Sequence, residues 1–237
     1  MSSSVRVCIL TPVMNHFPAF WRSVINMVAY SWEKGIPVGE IGITERTVVD
    51  WARNNLAKAA KEKSEYTHFL WLDADHVFNP DLLECLLSHK LTGPYIVSAL
   101  YYSRCAPYLP VVYVKDYSVD AYKHFPLIEI PNNLITCDAV GFGGCLMSRE
   151  VLEVVPEPWF TIDYRAGEDV AFCVKAKQYG TKIYCDGRYK LGHVGDYPII
   201  TEATYRKYMD EHKEDYADKV RVFLGGTDDP VSQLAKP

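Results

Sequence analysis

The sequence lacks the features that mark membrane, secreted and general nucleic-acid-binding proteins. It has no run of 18 apolar residues, so we expect no membrane-spanning helix. Its first six residues, Met1–Arg6, do not show the basic and then apolar pattern of a secretory signal. A formal net charge of −5 provides no general attraction for polyanions, although a local basic groove stays possible. We find no internal repeat and no convincing domain boundary.

The cysteines do not form a pattern typical of a disulfide framework or a zinc site. There are seven, an odd number, and none belongs to a Cys-x-x-Cys pair. This usage indicates buried free thiols in a reducing compartment, so we expect a cytoplasmic protein. The seven are Cys8, Cys85, Cys105, Cys137, Cys145, Cys173 and Cys185.

The chain has the size and composition of an ordinary globular protein. Its 237 residues, 49% hydrophobic and 23% charged, can bury a core without staples. Strand-like and helix-like patterns alternate from residue 5 to Asp73, which predicts a β-α-β-α-β arrangement typical of a doubly wound sheet. Thr47–Asp50 resembles a capping box, with Asp in place of Glu, at the start of the second helix. The later predicted helices are 82–89, one that begins near Arg149, one from Gly167 to Gly180, and 201–216. The later predicted strands are 95–100, 134–138, 143–148 and 183–185. Residues 101–133 are predicted to form an irregular segment with short strands.

The stretch His68–Asp75 carries the strongest functional signal. A short apolar run, typical of a buried central strand, leads directly into Asp73 and Asp75. In an extended chain these two side chains would point to the same side, ~7 Å apart along the strand. Ligands of open α/β sheets bind outside the carboxyl ends of the strands, so the pair could hold a hard cation or a ribose–phosphate group. Aspartates also begin turns and cap helices, and the pattern alone leaves that explanation open.

Four short motifs occur in a fixed order: Thr11-Pro12, Asp73-Ala74-Asp75, Gly167-Glu168-Asp169 and Gly192-His193. Their order and spacing resemble GT-A-type glycosyltransferases, and most closely the family-2-like group with its small phage and viral members. The matching segments are FLWLDADHVFNP, AVGFGGCLMSREVLE, GEDVAFCVKAKQYGTKIYCD and LGH, and they cover most of residues 5–195.

The resemblance implies one α/β, Rossmann-like domain with a mixed, mainly parallel central sheet flanked by helices. This domain would span 1–224, with a nucleotide-binding half at about 1–100, an acceptor half at about 101–200 and a C-terminal helix at 201–216. Residues 225–237 would form a tail. The location implied is the cytoplasm, which for a viral protein is that of the host.

The resemblance also implies a metal site. Asp75 would be a direct ligand, Asp73 would face the ribose or the metal, and His193 would complete the metal shell. Mg²⁺ and Mn²⁺ prefer oxygen ligands, and one imidazole shifts the preference toward Mn²⁺. A histidine packed in the core is the alternative explanation for His193.

Glu168 and Asp169 are the candidate catalytic residues. By the resemblance, Asp169 matches the base that takes the proton from the acceptor hydroxyl in inverting members. Glu168 could take that role or bind the acceptor. Both residues also lie in the first turn of a predicted helix, where carboxylates stabilise the helix by ~0.3–1 kcal/mol through its dipole.

The remaining candidates would contact the two substrates. Trp159 and Tyr101, with Glu168, are the acceptor-binding candidates, because aromatic faces stack well on sugars. A place in the core is the alternative explanation for the two aromatic residues. Tyr102 is ambiguous in the same way, and the glycines of Gly141–Gly144 could either form a turn between strands or let the donor sugar approach the backbone. The donor-binding candidates are Thr11, Pro12, Asn15, Arg53, Asp73, Ala74, Gly143 and Gly144.

The predicted function is metal-dependent transfer of a sugar from a nucleoside-diphosphate sugar, such as a UDP- or GDP-sugar, to an acceptor hydroxyl, with inversion. A glycan or another small hydroxylated acceptor is preferred. The first alternative is a DNA-modifying enzyme acting on hydroxymethylated bases, which would need basic residues gathered on one face. A second alternative is a sugar nucleotidyltransferase, which usually has a Gly-rich, basic phosphate loop, but Thr11–Asn15 is neither Gly-rich nor basic. A third is a non-catalytic sugar- or nucleotide-binding module, which would not need two carboxylate pairs and a histidine. The basic candidates are Lys115, Lys123, Arg165, Arg188 and Lys190.

Overall fold

The computed structural model describes residues 5–115, 124–162, 166–195 and 199–216, without the side chains of 124–125 and 213–216. These residues form twelve strands and six helices. The strands are β1 (Val7–Val13), β2 (Val38–Glu45), β3 (His68–Leu72), β4 (His76–Val77), β5 (Tyr95–Leu100), β6 (Val112–Lys115), β7 (His124–Pro126), β8 (Leu134–Thr136), β9 (Ala139–Val140), β10 (Gly144–Ser148), β11 (Lys182–Lys190) and β12 (Gly192–His193). The helices are α1 (Pro18–Glu33), α2 (Val49–Lys61), α3 (Leu82–Leu87), α4 (Arg149–Val154), α5 (Glu168–Gln178) and α6 (Glu202–Tyr216).

A seven-stranded sheet in the order β2-β1-β3-β10-β5-β11-β8 forms the centre of the molecule. Strands β1, β2, β3, β5 and β11 run in one direction, whereas β10 and β8 run antiparallel to their neighbours. The predicted α/β class with a mixed, mainly parallel sheet is therefore confirmed. Two small ladders stand beside it, one joining β4 to β12 and one joining β6 to β7 and β9.

The sheet separates two apolar cores, because alternate residues of a strand point to opposite faces. Val7 and Ile9 of β1 pack with helices α1 and α3 on one face. Cys8 and Leu10 pack on the other face with α2, α4 and α5. Both faces of the central strands are covered, which explains why β3 and β5 read as uninterrupted apolar runs in the sequence.

Two local predictions in the N-terminal half are wrong. Thr11 and Pro12 do not form a turn, because β1 continues through them to Val13. The capping box at Thr47 is also absent: Val48 is the N-cap of α2, and no side chain caps the helix. Thr47 instead lies on the loop between β2 and α2, where it lines a cleft. The predicted tail, 225–237, lies outside the described residues.

Candidate functional site

A cleft of about 340 Å³ lies at the carboxyl ends of β1, β2 and β3. This is the edge at which an open α/β sheet binds ligands, and the volume is in the range of small-molecule sites. The start of α2 and the residue that opens α5 complete its walls. Among the residues singled out in the sequence, those that line it are Pro12, Asn15, Arg53, Asp73, Ala74, Asp75, Tyr101, Glu168 and His193.

A tight turn follows β3 and separates the two aspartates. The backbone N–H of His76 donates to the carbonyl of Asp73 at 3.2 Å, so residues 73–76 form a turn and not an extended chain. The expected side-by-side arrangement of Asp73 and Asp75 is therefore wrong. Asp73 faces Arg53, whereas Asp75 faces two histidines.

Asp75, His76 and His193 form a group that could hold a metal ion, since one ligand atom from each lies within 4.8 Å of the others. Nδ1 of His76 is 3.1 Å from Oδ1 of Asp75, and Nε2 of His193 is 3.4 Å from Oδ2. Despite this closeness, both ring nitrogens of buried His76 and Oδ1 of Asp75 lack a hydrogen-bond partner. Ligands that share an ion at right angles are roughly 3 Å apart. The donor set therefore fits a divalent cation of the Mn²⁺ type, with two imidazoles and one carboxylate.

The orientation of His193 is fixed by its surroundings. Strand β12 pairs with β4 so that His193 lies opposite His76, and their rings stack with centroids 4.3 Å apart. Nδ1 of His193 lies 2.8 Å from the carbonyl of Tyr102, which can only accept, so Nδ1 carries the proton. The other ring nitrogen, Nε2, points toward Asp75 and is the atom of His193 that could bind a metal ion. Burial opposes ionisation of Asp75, but the two imidazoles hold the pKa of its carboxyl well below the usual range.

The sequence analysis missed His76. It follows Asp75 directly, and in an extended strand it would point to the opposite side. The turn after β3 brings it back beside Asp75. The run Asp-Ala-Asp-His contains His76 as a third residue whose side chain can bind a metal ion. Its approach to Asp75 depends on a turn that the apolar pattern of β3 does not predict.

The glycines after β9 make room for protein side chains. A Cβ on Gly143 would lie 2.3 Å from Cε1 of His76, and one on Gly141 would lie 1.8 Å from the hydroxyl of Tyr101. A Cβ on Gly144 would lie 2.3 Å from Leu191. Neither Gly143 nor Gly144 lines the cleft. In this structure the two residues expected to contact the donor instead allow His76 and Leu191 to pack against the backbone.

Arg53 is buried, with a 2% exposed side chain, and links two carboxylates that are far apart in sequence. Nη2 donates to Asp73 at 2.8 Å and Nε donates to Glu168 at 3.0 Å. Its guanidinium lies 5.5–5.9 Å from the ring centres of Trp71, Phe142 and Phe160. Arg53 is therefore not a solvated helix residue, and its two ion pairs join two walls of the cleft that it lines; its contact with the nucleotide stays a prediction.

The two candidate catalytic carboxylates have different surroundings. Glu168 lines the cleft and is engaged by Arg53. Asp169 is half-buried and is not among the residues that line the cleft, and its Oδ1 accepts from the backbone N–H of Val170 at 2.7 Å. Burial, followed by the charge of Glu168, raises the pKa of Asp169 to about 6. A carboxylate with such a pKa is a stronger base than an ordinary aspartate at neutral pH.

Three of the aromatic and polar candidates have structural roles. Trp159 is 1% exposed and donates its indole N–H to the carbonyl of Val155, so the prediction of an acceptor platform is wrong for this structure. Thr11 is fully buried and does not line the cleft. Tyr102 is buried and stacks on Tyr205. Tyr101 is almost buried too, but it lines the cleft beneath the two histidines, with its ring edge against His76.

Arg104 is a further cleft residue that the sequence analysis did not identify. Its side chain is half-exposed, and Nη1 lies 3.1 Å from Oδ2 of Asp75. It belongs to the segment 101–133, where irregularity gave no residue-level signal. Met14, Thr44 and Thr47 also line the cleft without having been predicted.

The comparisons with known proteins identify the fold. No family model matches the chain, and no curated protein matches it in sequence. Among solved structures, A197 from STIV aligns with a TM-score of 0.55 and 21% identity over 80% of this chain and 85% of that one. GalNAc-T7, solved with UDP, GalNAc and Mn²⁺, aligns with a TM-score of 0.56 and 14% identity over 92% of this chain. The fold is GT-A-like. The alignment spans 50% of the GalNAc-T7 chain.

The helices of the described residues are 6 to 16 residues long. None of them, over residues 5–115, 124–162, 166–195 and 199–216, combines the length and apolar character that crossing a bilayer requires.

Proposed function

We propose that the protein is a metal-dependent glycosyltransferase that moves a sugar from a nucleoside-diphosphate sugar to an acceptor hydroxyl. The observation that carries the proposal is the grouping of Asp75, His76 and His193 in the cleft at the carboxyl ends of the parallel strands. GalNAc-T7, which shares the fold, was solved with UDP, a sugar and Mn²⁺. We therefore assign the site to Mn²⁺ ahead of Mg²⁺, since two of the three ligands are imidazoles.

Each part of the cleft has a distinct task in this proposal. A metal held by Asp75, His76 and His193 would act as a Lewis acid on the diphosphate leaving group. Asp73, oriented by its ion pair with Arg53, lines the cleft just after β3 and would accept hydrogen bonds from the ribose. Pro12, Asn15 and Ala74 would line the nucleotide, and a UDP- or GDP-sugar is the expected donor.

Asp169 is the proposed base and Glu168 the proposed acceptor-binding residue. Glu168 lines the cleft and already accepts a hydrogen bond from Nε of Arg53 at 3.0 Å. Asp169, with a pKa of about 6, is ionised at neutral pH and yet basic enough to assist the acceptor hydroxyl. A positioned base of this kind contributes ~10²–10⁴ in rate. Direct attack by the activated hydroxyl would invert the configuration at the sugar carbon.

A glycan or another small hydroxylated molecule is the proposed acceptor. Of the five basic residues considered for DNA binding, Arg188 pairs with buried Asp186 and Lys190 pairs with Glu202. Lys123 and Arg165 lie outside the described residues. Two basic side chains are thus committed to carboxylates of the protein itself, which favours a small acceptor over a polyanion.

The proposal is tested by measuring release of nucleoside diphosphate with a panel of donors, with and without Mn²⁺. Asp75→Ala should abolish Mn²⁺ binding and turnover while the unfolding temperature of the metal-free protein changes little. Glu153→Ala, an exposed carboxylate on α4, is the matched control and should behave as wild type. A matching donor at 100 times its Kd should stabilise the wild-type protein by ~2.7 kcal/mol. Turnover that resists a chelator, or full activity of Asp75→Ala, would rule out the metal assignment.

A further inference from the structure

The outer edge of the sheet carries an apolar surface that does not belong to the cleft. Twelve large hydrophobic residues are exposed among the described residues, and eight of them lie between residues 5 and 51. This segment forms β1, α1, β2 and the start of α2, and β2 is the edge strand of the seven-stranded sheet. Four of the eight, Ile25, Trp32, Ile41 and Ile43, belong to α1 and β2, and an exposed apolar patch of neighbouring residues is typical of an interaction surface.

Two isoleucines of β2 lie on the face of the sheet that α1 covers. Ile41 pairs with Ile9 of β1, and Ile43 pairs with Thr11. Ile9 belongs to the core under α1, so Ile41 and Ile43 project to that same side. They stay 36% and 44% exposed, because α1 does not extend over the edge of the sheet.

Helix α1 adds a second apolar row beside these isoleucines. Its buried stripe contains Phe20, Val24 and Met27. On one flank of that stripe, the hydroxyl of Tyr30 donates to Glu84 of α3, so this flank faces α3. The opposite flank of α1 therefore faces the β2 edge. It is apolar along its whole length, because it consists of residues spaced i, i+4, i+7 and i+11, which are Trp21, Ile25, Val28 and Trp32. Of these four, Ile25 is 66% exposed and Trp32 is 60% exposed.

Contacts at the end of β2 support this orientation of the flank. His16 stacks on Trp21 and also pairs with Glu45 of β2 at 3.1 Å. The first turn of α1 is thereby joined to the carboxyl end of β2 on the same face of the sheet. Trp21, Ile25, Val28, Trp32, Ile41 and Ile43 therefore form one continuous patch, which we term the edge patch.

Among the described residues, no strand pairs with the outer side of β2. The N–H of Arg46 donates to the carbonyl of Val13, so the even-numbered residues of β2 direct their backbone groups toward β1. The N–H and C=O groups of Ile41 and Ile43 consequently point outward. No proline or lysine, which usually protect edge strands, occurs between Val38 and Glu45.

We propose that the edge patch is a homodimer interface in which β2 pairs antiparallel with β2 of a second copy. A two-fold axis at Gly42 places Ile41 of each copy opposite Ile43 of the other copy. The outward N–H and C=O groups of Ile41 and Ile43, four in each strand, then form hydrogen bonds between the copies. This register sets Glu40 opposite Thr44 and Glu45 opposite Gly39, so no like charges face each other. A second copy is favoured over an unrelated strand because this one sequence satisfies both sides of the pairing.

The size of the edge patch agrees with this occupant. Its exposed apolar side chains amount to on the order of 400 Å² per copy, which is the size of the largest apolar patch on a typical monomer, and such patches are often functional. Two copies would bury about 800 Å² of this apolar surface, to which the paired strand edges and a polar rim would add, and specific interfaces bury about 1,200–2,000 Å² in total. The two seven-stranded sheets would become one continuous sheet, with the two clefts opening on opposite edges. The proposal does not depend on the proposed enzymatic function.

The test is the mass of the full chain by sedimentation over a concentration series. Wild type should sediment at twice the chain mass of 27.0 kDa, and Ile43→Lys should sediment at 27.0 kDa. Val154→Lys, at an exposed apolar position on α4 outside the edge patch, is the control and should stay dimeric. Ile43→Pro is a second variant, because it removes only an N–H that points outward and breaks no hydrogen bond to β1.

Two results would overturn the proposal. One is a wild-type chain that stays monomeric at every concentration. The edge patch would then have another occupant, such as residues 217–237 or a different protein. The other is a dimer that survives both Ile43→Lys and Ile43→Pro with unchanged affinity. If either variant loses its cooperative unfolding transition, the other still decides the question, since one acts through a charge and the other through a backbone donor.

Discussion

Replacing Arg53 by methionine tests the most heavily buried charge of the site. The guanidinium has two carboxylate partners, Asp73 at 2.8 Å and Glu168 at 3.0 Å, and its own side chain is 2% exposed. Methionine retains an apolar stem that can fill the space among Trp71, Phe142 and Phe160. The main loss is therefore electrostatic, because two partly buried carboxylates are left without their cation.

Removing one partner of a buried ion pair destabilises a protein by 3–5 kcal/mol. Asp73 and Glu168 keep side-chain exposures of 27% and 13%, so water can offset part of this loss. We expect Arg53→Met to lower the free energy of unfolding by about 3 kcal/mol, which corresponds to on the order of 10 °C in the unfolding temperature. The control is Arg206→Met, which breaks an exposed i,i+4 pair with Glu202 and should cost below about 0.5 kcal/mol.

The assay is urea unfolding of the metal-free protein, followed by intrinsic fluorescence and circular dichroism. A triple variant, Arg53→Met with Asp73→Asn and Glu168→Gln, removes all three charges and should regain most of the lost stability, since no unpaired charge remains. The reasoning is refuted if Arg53→Met costs no more than Arg206→Met. It is refuted equally if the triple variant is no more stable than the single one.

The remaining predictions concern the glycine loop, the proposed base and the wall beneath the histidines. Gly143→Ala should weaken Mn²⁺ binding at least tenfold (about 1.4 kcal/mol) in titration calorimetry, because its Cβ would displace His76. Gly144→Ala should lower stability through Leu191 and leave Mn²⁺ affinity unchanged. Equal Mn²⁺ affinities of the two variants would contradict this prediction. The pKa of Asp169 is raised in the folded state, so its contribution to stability is present below pH 4 and is lost as the pH rises toward 6. Asp169→Asn should therefore be more stable than wild type at pH 7, by on the order of 2 kcal/mol. Thermal scans at pH 4 should show no difference between the two proteins. A gain in stability that does not depend on pH would exclude the ionisation of Asp169 as its cause. Tyr101→Phe should remove the acceptor for the N–H of Gly143 and cost about 1 kcal/mol in urea unfolding, and a neutral change would show that this contact at 3.4 Å is not a hydrogen bond in solution.

Much of the fold follows from local sequence patterns. The apolar runs of β1, β3 and β5 are buried on both faces, and such runs are distinctive without knowledge of partners. The position of the cleft follows as well, because the carboxyl ends of parallel strands lie at one edge of a sheet. Asp73 and Asp75 were identified in this way, whereas Glu168 and His193 were implied by the resemblance to GT-A-type glycosyltransferases. All four line the cleft.

The details that the sequence analysis missed depend on pairs of residues far apart in the chain. Whether Arg53 is solvated or buried is decided by Glu168, which is 115 positions away. Trp159 follows Pro158 in a stretch with no helix or strand pattern, yet it is buried in the apolar core. Local periodicity contains no information on such encounters, and a single sequence offers no covariation from which to infer them.

The site consists of two assemblies with different supports. The metal group depends on the short ladder between β4 and β12, which sets His193 beside His76, and on the glycine that admits His76. The carboxylates at the opposite wall depend on Arg53 and its aromatic surroundings, with no hydrogen bond or ion pair to the histidines among the described residues. Perturbations at contacts that share no partner usually add within ≈ 0.3–0.5 kcal/mol. Arg53→Met and Gly143→Ala should therefore be additive in stability, while only Gly143→Ala reduces Mn²⁺ affinity. A double variant whose loss departs from the sum by more than about 1 kcal/mol would show that the two assemblies are coupled, and the turn from Asp73 to His76 is the segment that would couple them.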